Sequence, residues 1–231
     1  MWIKVCGIRD CTTAVSVAEL GIDAIGLNFY SRSPRSVTRE EAIEISNVLP
    51  KRIARVGVFV NHACSEIESL VSTCRLDIVQ LHGDERPSFV LELRQRLPDI
   101  PLIRAWRMTE EGLGDLTTFL GECHSHQIRI AGCLVDAHVN GLYGGSGKTV
   151  PWQRLSEQYS QHSSPPLILA GGLTPANIAE AISVVRPWGV DVASGVESAP
   201  GVKDLQLTKQ FVENARSAAL DEKEFHHGSH G

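Results

Sequence analysis

Apolar residues along the chain fall into short, nearly continuous runs, and amphipathic stretches separate them. The runs lie at 2–6, 24–28, 54–60, 77–81, 101–105, 130–135, 167–170 and 189–193. They are rich in Val, Ile and Leu and do not alternate strictly between apolar and polar, the pattern of a strand covered by helices. Periodicity alone does not separate such runs from buried helix; their length and flanking turns do. The stretches between them predict helices at 11–20, 38–48, 64–74, 86–97, 109–120, 151–160, 175–186 and 203–218. In the seventh, Ile178, Ala181, Ile182 and Val185 form one stripe that can face a sheet.

Local start and stop signals agree with this division. Thr38 followed by Glu41 has the spacing of a capping box. Pro87 suits the first turn of its helix, and Thr174-Pro175 predicts a cap followed by proline at the first helical position. Gly21 is placed to end the first helix. The alternation fits two α/β architectures, the doubly wound open sheet and the closed barrel. Eight units in 231 residues favour a closed (β/α)₈ TIM barrel, because closure leaves no edge strand to protect. Barrels of this kind take roughly 250 residues, with about 200 as a lower bound. The expected domain is a single barrel over 1–219. Residues 220–231 carry no apolar stripe and are expected to be a disordered tail.

Composition narrows the range of functions. The net charge of −5 and pI of about 6.0 give no basic footprint for nucleic acid. No run of about 20 apolar residues is present to span a membrane, and Met1-Trp2-Ile3-Lys4-Val5 lacks the features of a signal peptide. The six cysteines have neither CxxC nor zinc-ligand spacing and read as reduced thiols of a cytoplasmic protein. No metal site is expected. No stripe is apolar enough to define an interface, so monomer and homodimer both remain open.

In a barrel, chemistry gathers at the C-terminal ends of the strands. That rule selects Cys6 after strand 1, His82 after strand 4, Asp136 at the end of strand 6, and Ser194 and Gly195 after strand 8. Gly171 and Gly172 follow strand 7. The two glycine turns predict a nest of backbone N–H groups for a phosphate, in a phosphate-binding barrel. Gly145, Ser146 and Gly147 suggest a lid over the substrate. They do not form a Walker A loop, because Leu142 stands where the opening glycine is required. Cys6 reads either as a buried structural thiol or as a thiolate. Asp136 reads either as a loop cap or as an acid whose pKa desolvation raises. Arg35, in the loop after strand 2, reads either as a surface charge or as a fork for a carboxylate. His82 can bind substrate or orient a neighbour.

Several segments carry a resemblance: Lys4-Val5-Cys6-Gly7-Ile8, Gly26-Leu27-Asn28-Phe29-Tyr30 with Ser33-Pro34-Arg35, Val79-Gln80-Leu81-His82-Gly83, and Leu134-Val135-Asp136. Tyr143-Gly144-Gly145-Ser146-Gly147-Lys148-Thr149, Leu169-Ala170-Gly171-Gly172-Leu173-Thr174-Pro175-Ala176-Asn177 and Val190-Asp191-Val192-Ala193-Ser194-Gly195-Val196-Glu197 continue it. In this order, over about 2–215, they resemble the phosphoribosylanthranilate isomerases of tryptophan biosynthesis. The resemblance implies an Amadori rearrangement without cofactor, acting on a small phosphorylated anionic substrate. It implies Cys6 as general base, Asp136 as general acid, Arg35 near the anthranilate carboxylate, and Gly171, Gly172, Ser194 and Gly195 at the phosphate. Trp106-Arg107 is bulkier than the resemblance leads one to expect and is placed to crowd the aromatic part of the site. The histidine-pathway isomerase carries Asp at the position of Cys6 and takes two phosphates, which argues against that reading. A non-catalytic phosphate-binding barrel would leave Cys6 and Asp136 without a purpose.

Overall fold

The computed structural model describes residues 1–109, 112–137, 151–160 and 163–227. The strands are β1 (Trp2–Cys6), β2 (Ala24–Asn28), β3 (Ala54–Phe59), β4 (Ile78–Leu81), β5 (Leu102–Met108), β6 (Gly132–Ala137), β7 (Leu167–Leu169) and β8 (Gly189–Val192). They pair in parallel in sequence order, and β1 closes on β8. The helices are α1 (Cys11–Ala18), α2 (Arg39–Val48), α3 (Cys64–Thr73), α4 (Pro87–Arg96), α5 (Leu116–Ser125), α6 (Trp152–Gln158), α7 (Ile178–Val185) and α8 (Leu205–His227). The fold is therefore the closed (β/α)₈ barrel and not the open, doubly wound sheet. Among the described residues no helix is long and apolar enough to cross a membrane.

Strand alternation divides the core into two layers. The larger lies between barrel and helices and takes Ile3, Val5, Val79, Leu81, Val135, Leu169, Val190 and Val192. The residues between these point into the barrel. Below the mouth, the interior on β5 to β7 is apolar: Ile103, Ala105, Leu134, Ile168 and Ala170 form a separate cluster. On β1, β4 and β8 the inward positions hold Lys4, Cys6, Gln80 and Asp191, all buried.

Most local signals act as expected. Thr38 and Glu41 make both halves of the capping box, and Pro87 opens α4. Four elements differ. Strand β5 runs on to Met108 because Trp106, Arg107 and Met108 continue the ladder with Val135, Asp136 and Ala137, and α5 starts later, at Leu116. Helix α7 begins at Ile178 with Asn177 at its N-cap. The Thr174 N–H donates to Asn177 Oδ1 at 2.8 Å, so the predicted cap is itself held in the turn ahead of the helix. Helix α8 passes the expected barrel end at 219 and reaches His227. Elongation adds one hydrogen bond for each residue fixed, and Glu222-Lys223-Glu224 are good helix formers.

Candidate active site

One pocket at the C-terminal mouth of the barrel gathers Cys6, Arg35, His82 and Asp136 on its side walls. Gly171, Gly172, Ser194 and Gly195 line it as well. The eight described side chains and turns singled out from the sequence thus share one site. The lid residues Gly145, Ser146 and Gly147 lie outside the described residues.

Cys6 closes β1, and its Sγ rests against β2 at a point where only glycine fits: a Cβ on Gly26 would stand 2.6 Å from the sulfur. Burial pushes the thiol up, and the nearby Lys4 ammonium pulls it back without reversing the shift. All six cysteines are free.

His82 follows β4 and turns its Nε2 toward Asp136 Oδ2, 3.8 Å away. Its Nδ1 lies 2.9 Å from Gln80 Nε2. With the amide N–H donating, Nδ1 is the acceptor and Nε2 carries the hydrogen, aimed at the carboxyl. Burial, and then the charges of Lys4, Arg104 and Arg107, lower the imidazole to about 3. It is a neutral donor at physiological pH. The turn that carries it is fixed from behind by Arg104 of β5. Arg104 Nη1 donates to Leu81 O at 3.0 Å and Nη2 to Gly83 O at 3.1 Å. Glu85 pairs with the same guanidinium at 3.3 Å and accepts the Gly83 N–H at 3.0 Å.

Arg35 lies over the turn after β1, where a Cβ on Gly7 would meet its Cδ at 2.6 Å. Its Nε and Nη2 donate to the two oxygens of Glu197 at 2.8 and 2.7 Å. Glu197 opens β9 (Glu197–Ala199), which pairs antiparallel with β10 (Val202–Lys203). From β10, Lys203 donates to Glu197 Oε1 at 2.7 Å and to Ala193 O at 2.9 Å. Burial works against the Glu197 charge, yet Arg35 and Lys203 together hold the carboxyl below its usual range. One edge of Arg35 is therefore held in place, and the remaining donors of its five are left for a ligand.

The two glycine turns touch. Gly171 and Gly172 both have positive φ, +83° and +63°. After β8 the chain makes a single 3₁₀ turn, Ser194–Val196. A Cβ on Gly195 would stand 1.8 Å from the Leu173 carbonyl oxygen, so only glycine permits the approach. Asn177 Nδ2 donates to Gly172 O at 3.0 Å, and Lys203 braces the other turn at Ala193.

Trp106 does not crowd the pocket. Its Nε1 donates to Leu113 O at 2.6 Å and its ring meets Phe119 at 5.6 Å, so it faces α5 outside the barrel. The singled-out residues omitted Lys4, Gln80, Asn177, Asp191, Glu197 and Lys203. Five of these stand inside the motif segments. Lys203 had no signal beyond its charge, because its contact depends on the β9–β10 hairpin.

Fold and site together define a phosphate-binding (β/α)₈ barrel with a thiol, a carboxyl group and a neutral imidazole at its mouth. The family model described as N-(5'phosphoribosyl)anthranilate (PRA) isomerase matches residues 3–214. The N-(5'-phosphoribosyl)anthranilate isomerase of Trichlorobacter lovleyi is 42% identical over 216 residues, covering 94% of this chain and 98% of the relative. The crystal structure of the phosphoribosyl anthranilate isomerase from Thermotoga maritima superimposes with a TM-score of 0.80 at 35% identity, covering 94% and 99% of the two chains. A second isomerase structure, in complex with reduced 1-(o-carboxyphenylamino)-1-deoxyribulose 5-phosphate, gives a TM-score of 0.75 at 33% identity, with the same coverage. The chain belongs to the N-(5'-phosphoribosyl)anthranilate isomerase family.

Proposed function

We propose that this pocket carries out the family's reaction with Asp136 as general acid and Cys6 as general base. The chain is an isomerase of tryptophan biosynthesis. It converts N-(5-phosphoribosyl)anthranilate into 1-(o-carboxyphenylamino)-1-deoxyribulose 5-phosphate. The observation that carries the assignment is the convergence of Cys6 and Asp136 on one pocket lined by both glycine turns. The phosphate sits against the backbone N–H groups around Gly171, Gly172, Ser194 and Gly195, which anchors the ribose. Asp136 donates its proton to the ring oxygen, the C1′–O bond breaks, and the ring opens to an iminium ion. The cationic nitrogen acidifies C2′, and Cys6 takes that proton to leave the enolamine. Tautomerisation gives the ketone. Proton and electron pairs balance within the substrate and the two side chains, with no external reductant or oxidant.

The neighbours fit these roles. The Nε2–H of neutral His82 faces Asp136 and can also donate to the substrate. Arg35, steadied by Glu197, offers its other edge to the anthranilate carboxylate. The test is the loss of substrate fluorescence when the purified chain meets freshly prepared phosphoribosylanthranilate. Asp136→Asn is expected to lower turnover about 10²–10⁴-fold while product affinity stays within about tenfold. Cys6→Ala is expected to lower turnover over the same range. Near-normal turnover in either variant removes that residue from its role, and no consumption by the folded parent chain overturns the reading as a whole.

A further inference from the structure

We propose that Lys4 is a positioning residue for the Cys6 base: its buried ammonium, shared between Asp191 and the thiol, is the counter-ion that allows a thiolate to form at the barrel mouth. The proposal rests on Cys6 being the base. The placement follows from strand geometry. Lys4 and Cys6 are two apart on β1 and so point to the same side, into the barrel. Lys4 is in register with Asp191 of β8. Lys4 Nζ stands 2.8 Å from Asp191 Oδ1, yet neither atom makes a well-aligned hydrogen bond. The ammonium is 0% exposed. A charge so placed must be compensated by the groups around it, and Asp191 provides only part of that. The open end of the arrangement is the site itself, because Cys6 and Asp191 both line the pocket while Lys4, level with Asp191, lies beneath Cys6.

The charges around Cys6 come from every wall. Lys4 is below it on its own strand, Asp191 is across on β8, Lys203 reaches in from β10, and Arg35 lies over the turn above. Burial is the largest influence on the thiol and opposes ionisation. Among the charges Lys4 acts most strongly in favour and Asp191 most strongly against. Burial likewise works against the Lys4 charge, but Asp191 and then Cys6 outweigh it, so Lys4 stays protonated. A fixed ammonium next to a buried thiol favours its thiolate, the form that can take up a proton. Asp191 tempers it, so that the ammonium does not hold a thiolate too stable to take up a proton.

The test follows thiol ionisation directly, without relying on turnover. The probe is iodoacetamide, and its rate of reaction at Cys6 is read by peptide mass spectrometry across a pH series on the intact chain. Lys4→Met is expected to raise the pH midpoint by a unit or more, which below the midpoint is a tenfold or greater loss of rate. Asp191→Asn is expected to move the midpoint the other way. Because an unpaired Asp191 can prevent folding of the first variant, Lys4→Met/Asp191→Val carries the same upward expectation with no buried charge left unpaired. Circular dichroism establishes the fold of each. An unchanged or lowered midpoint in the folded Lys4 variants overturns the proposal, as does an upward shift in Asp191→Asn. A fully active Cys6→Ala protein would overturn the base assignment instead, and it leaves the midpoints untouched, so the two failures are separable.

Discussion

Gly195→Ala tests the contact between the two glycine turns proposed to hold the phosphate. The added methyl carbon would stand 1.8 Å from Leu173 O, 2.8 Å from its carbonyl carbon and 3.2 Å from Thr174 Cα. All three are backbone atoms, so no rotamer change relieves the clash. A carbon meets a carbonyl oxygen comfortably at about 3.3 Å, so the turns after β7 and β8 must separate by roughly 1.5 Å. A hydrogen bond of about 2.9 Å lengthened by that amount is lost. One donor to a charged phosphate contributes about 1.5–3 kcal/mol, so affinity for inorganic phosphate as a competitive inhibitor should fall about 10–100-fold. The overpacking should also cost about 1–3 kcal/mol of stability, read as a lower urea midpoint. Gly121→Ala is the control. It lies within α5 with no atom near its added carbon, and it should stabilise the chain by about 0.5–1 kcal/mol. An unchanged phosphate inhibition constant in Gly195→Ala, with an unchanged urea midpoint, would refute the close approach of the two turns.

Three further outcomes follow from charge placement. Glu197→Gln removes the shared partner of Arg35 and Lys203, so urea denaturation should show a loss of about 3 kcal/mol, with KM raised more than kcat is lowered. His82 stays neutral in the folded chain down to about 3, whereas the unfolded chain protonates it near its usual value. Between about pH 6.5 and 3 the unfolded state therefore binds the extra proton, and stability falls with falling pH by up to about 1.4 kcal/mol per unit; His82→Gln should flatten that slope in a pH series of urea midpoints. Lys4→Met/Asp191→Val replaces a buried ion pair with apolar side chains, so its urea stability should equal the parent's or exceed it by up to about 4 kcal/mol, while turnover falls.

The strand–helix alternation was legible because each β/α unit obeys a local rule: an apolar run, a turn, an amphipathic helix. The site was legible as far as it follows from position on a strand. Cys6, His82 and Asp136 lie at strand ends, and barrel topology brings strand ends together. What local rules did not reveal was set by partners far away in the chain. Strand β5 outran its predicted end because β6 offered three more partners to Trp106, Arg107 and Met108. The same extension turned Trp106 away from the pocket it was expected to crowd. Arg35 looked like a free fork, but Glu197, 162 residues on, holds one edge of it. Arg104 stands on an otherwise apolar strand, and what it does depends on the Leu81–Glu85 turn of the neighbouring unit. Each of these is a long-range polar contact, and polar contacts leave no periodicity.

The interior of the barrel shows where stability was given up for chemistry. On β5 to β7 it is filled by Ile103, Ala105, Leu134, Ile168 and Ala170, as a barrel stabilised by packing would be throughout. On β1, β4 and β8 the same layer holds Lys4, Gln80 and Asp191. A buried ion pair gains little over apolar side chains of the same volume, since desolvation offsets the attraction, and Gln80 Oε1 is buried without a partner. Packing does not explain that choice, but the two groups above these residues do. Lys4 and Asp191 stand below Cys6, and Gln80 sets the tautomer of His82, which faces Asp136. The polar positions of β1, β4 and β8 thus lie beneath Cys6 and His82. The apolar positions of β5 to β7 lie beneath neither, so the charges nearest Cys6 are the few fixed ones of Lys4, Asp191, Lys203 and Arg35.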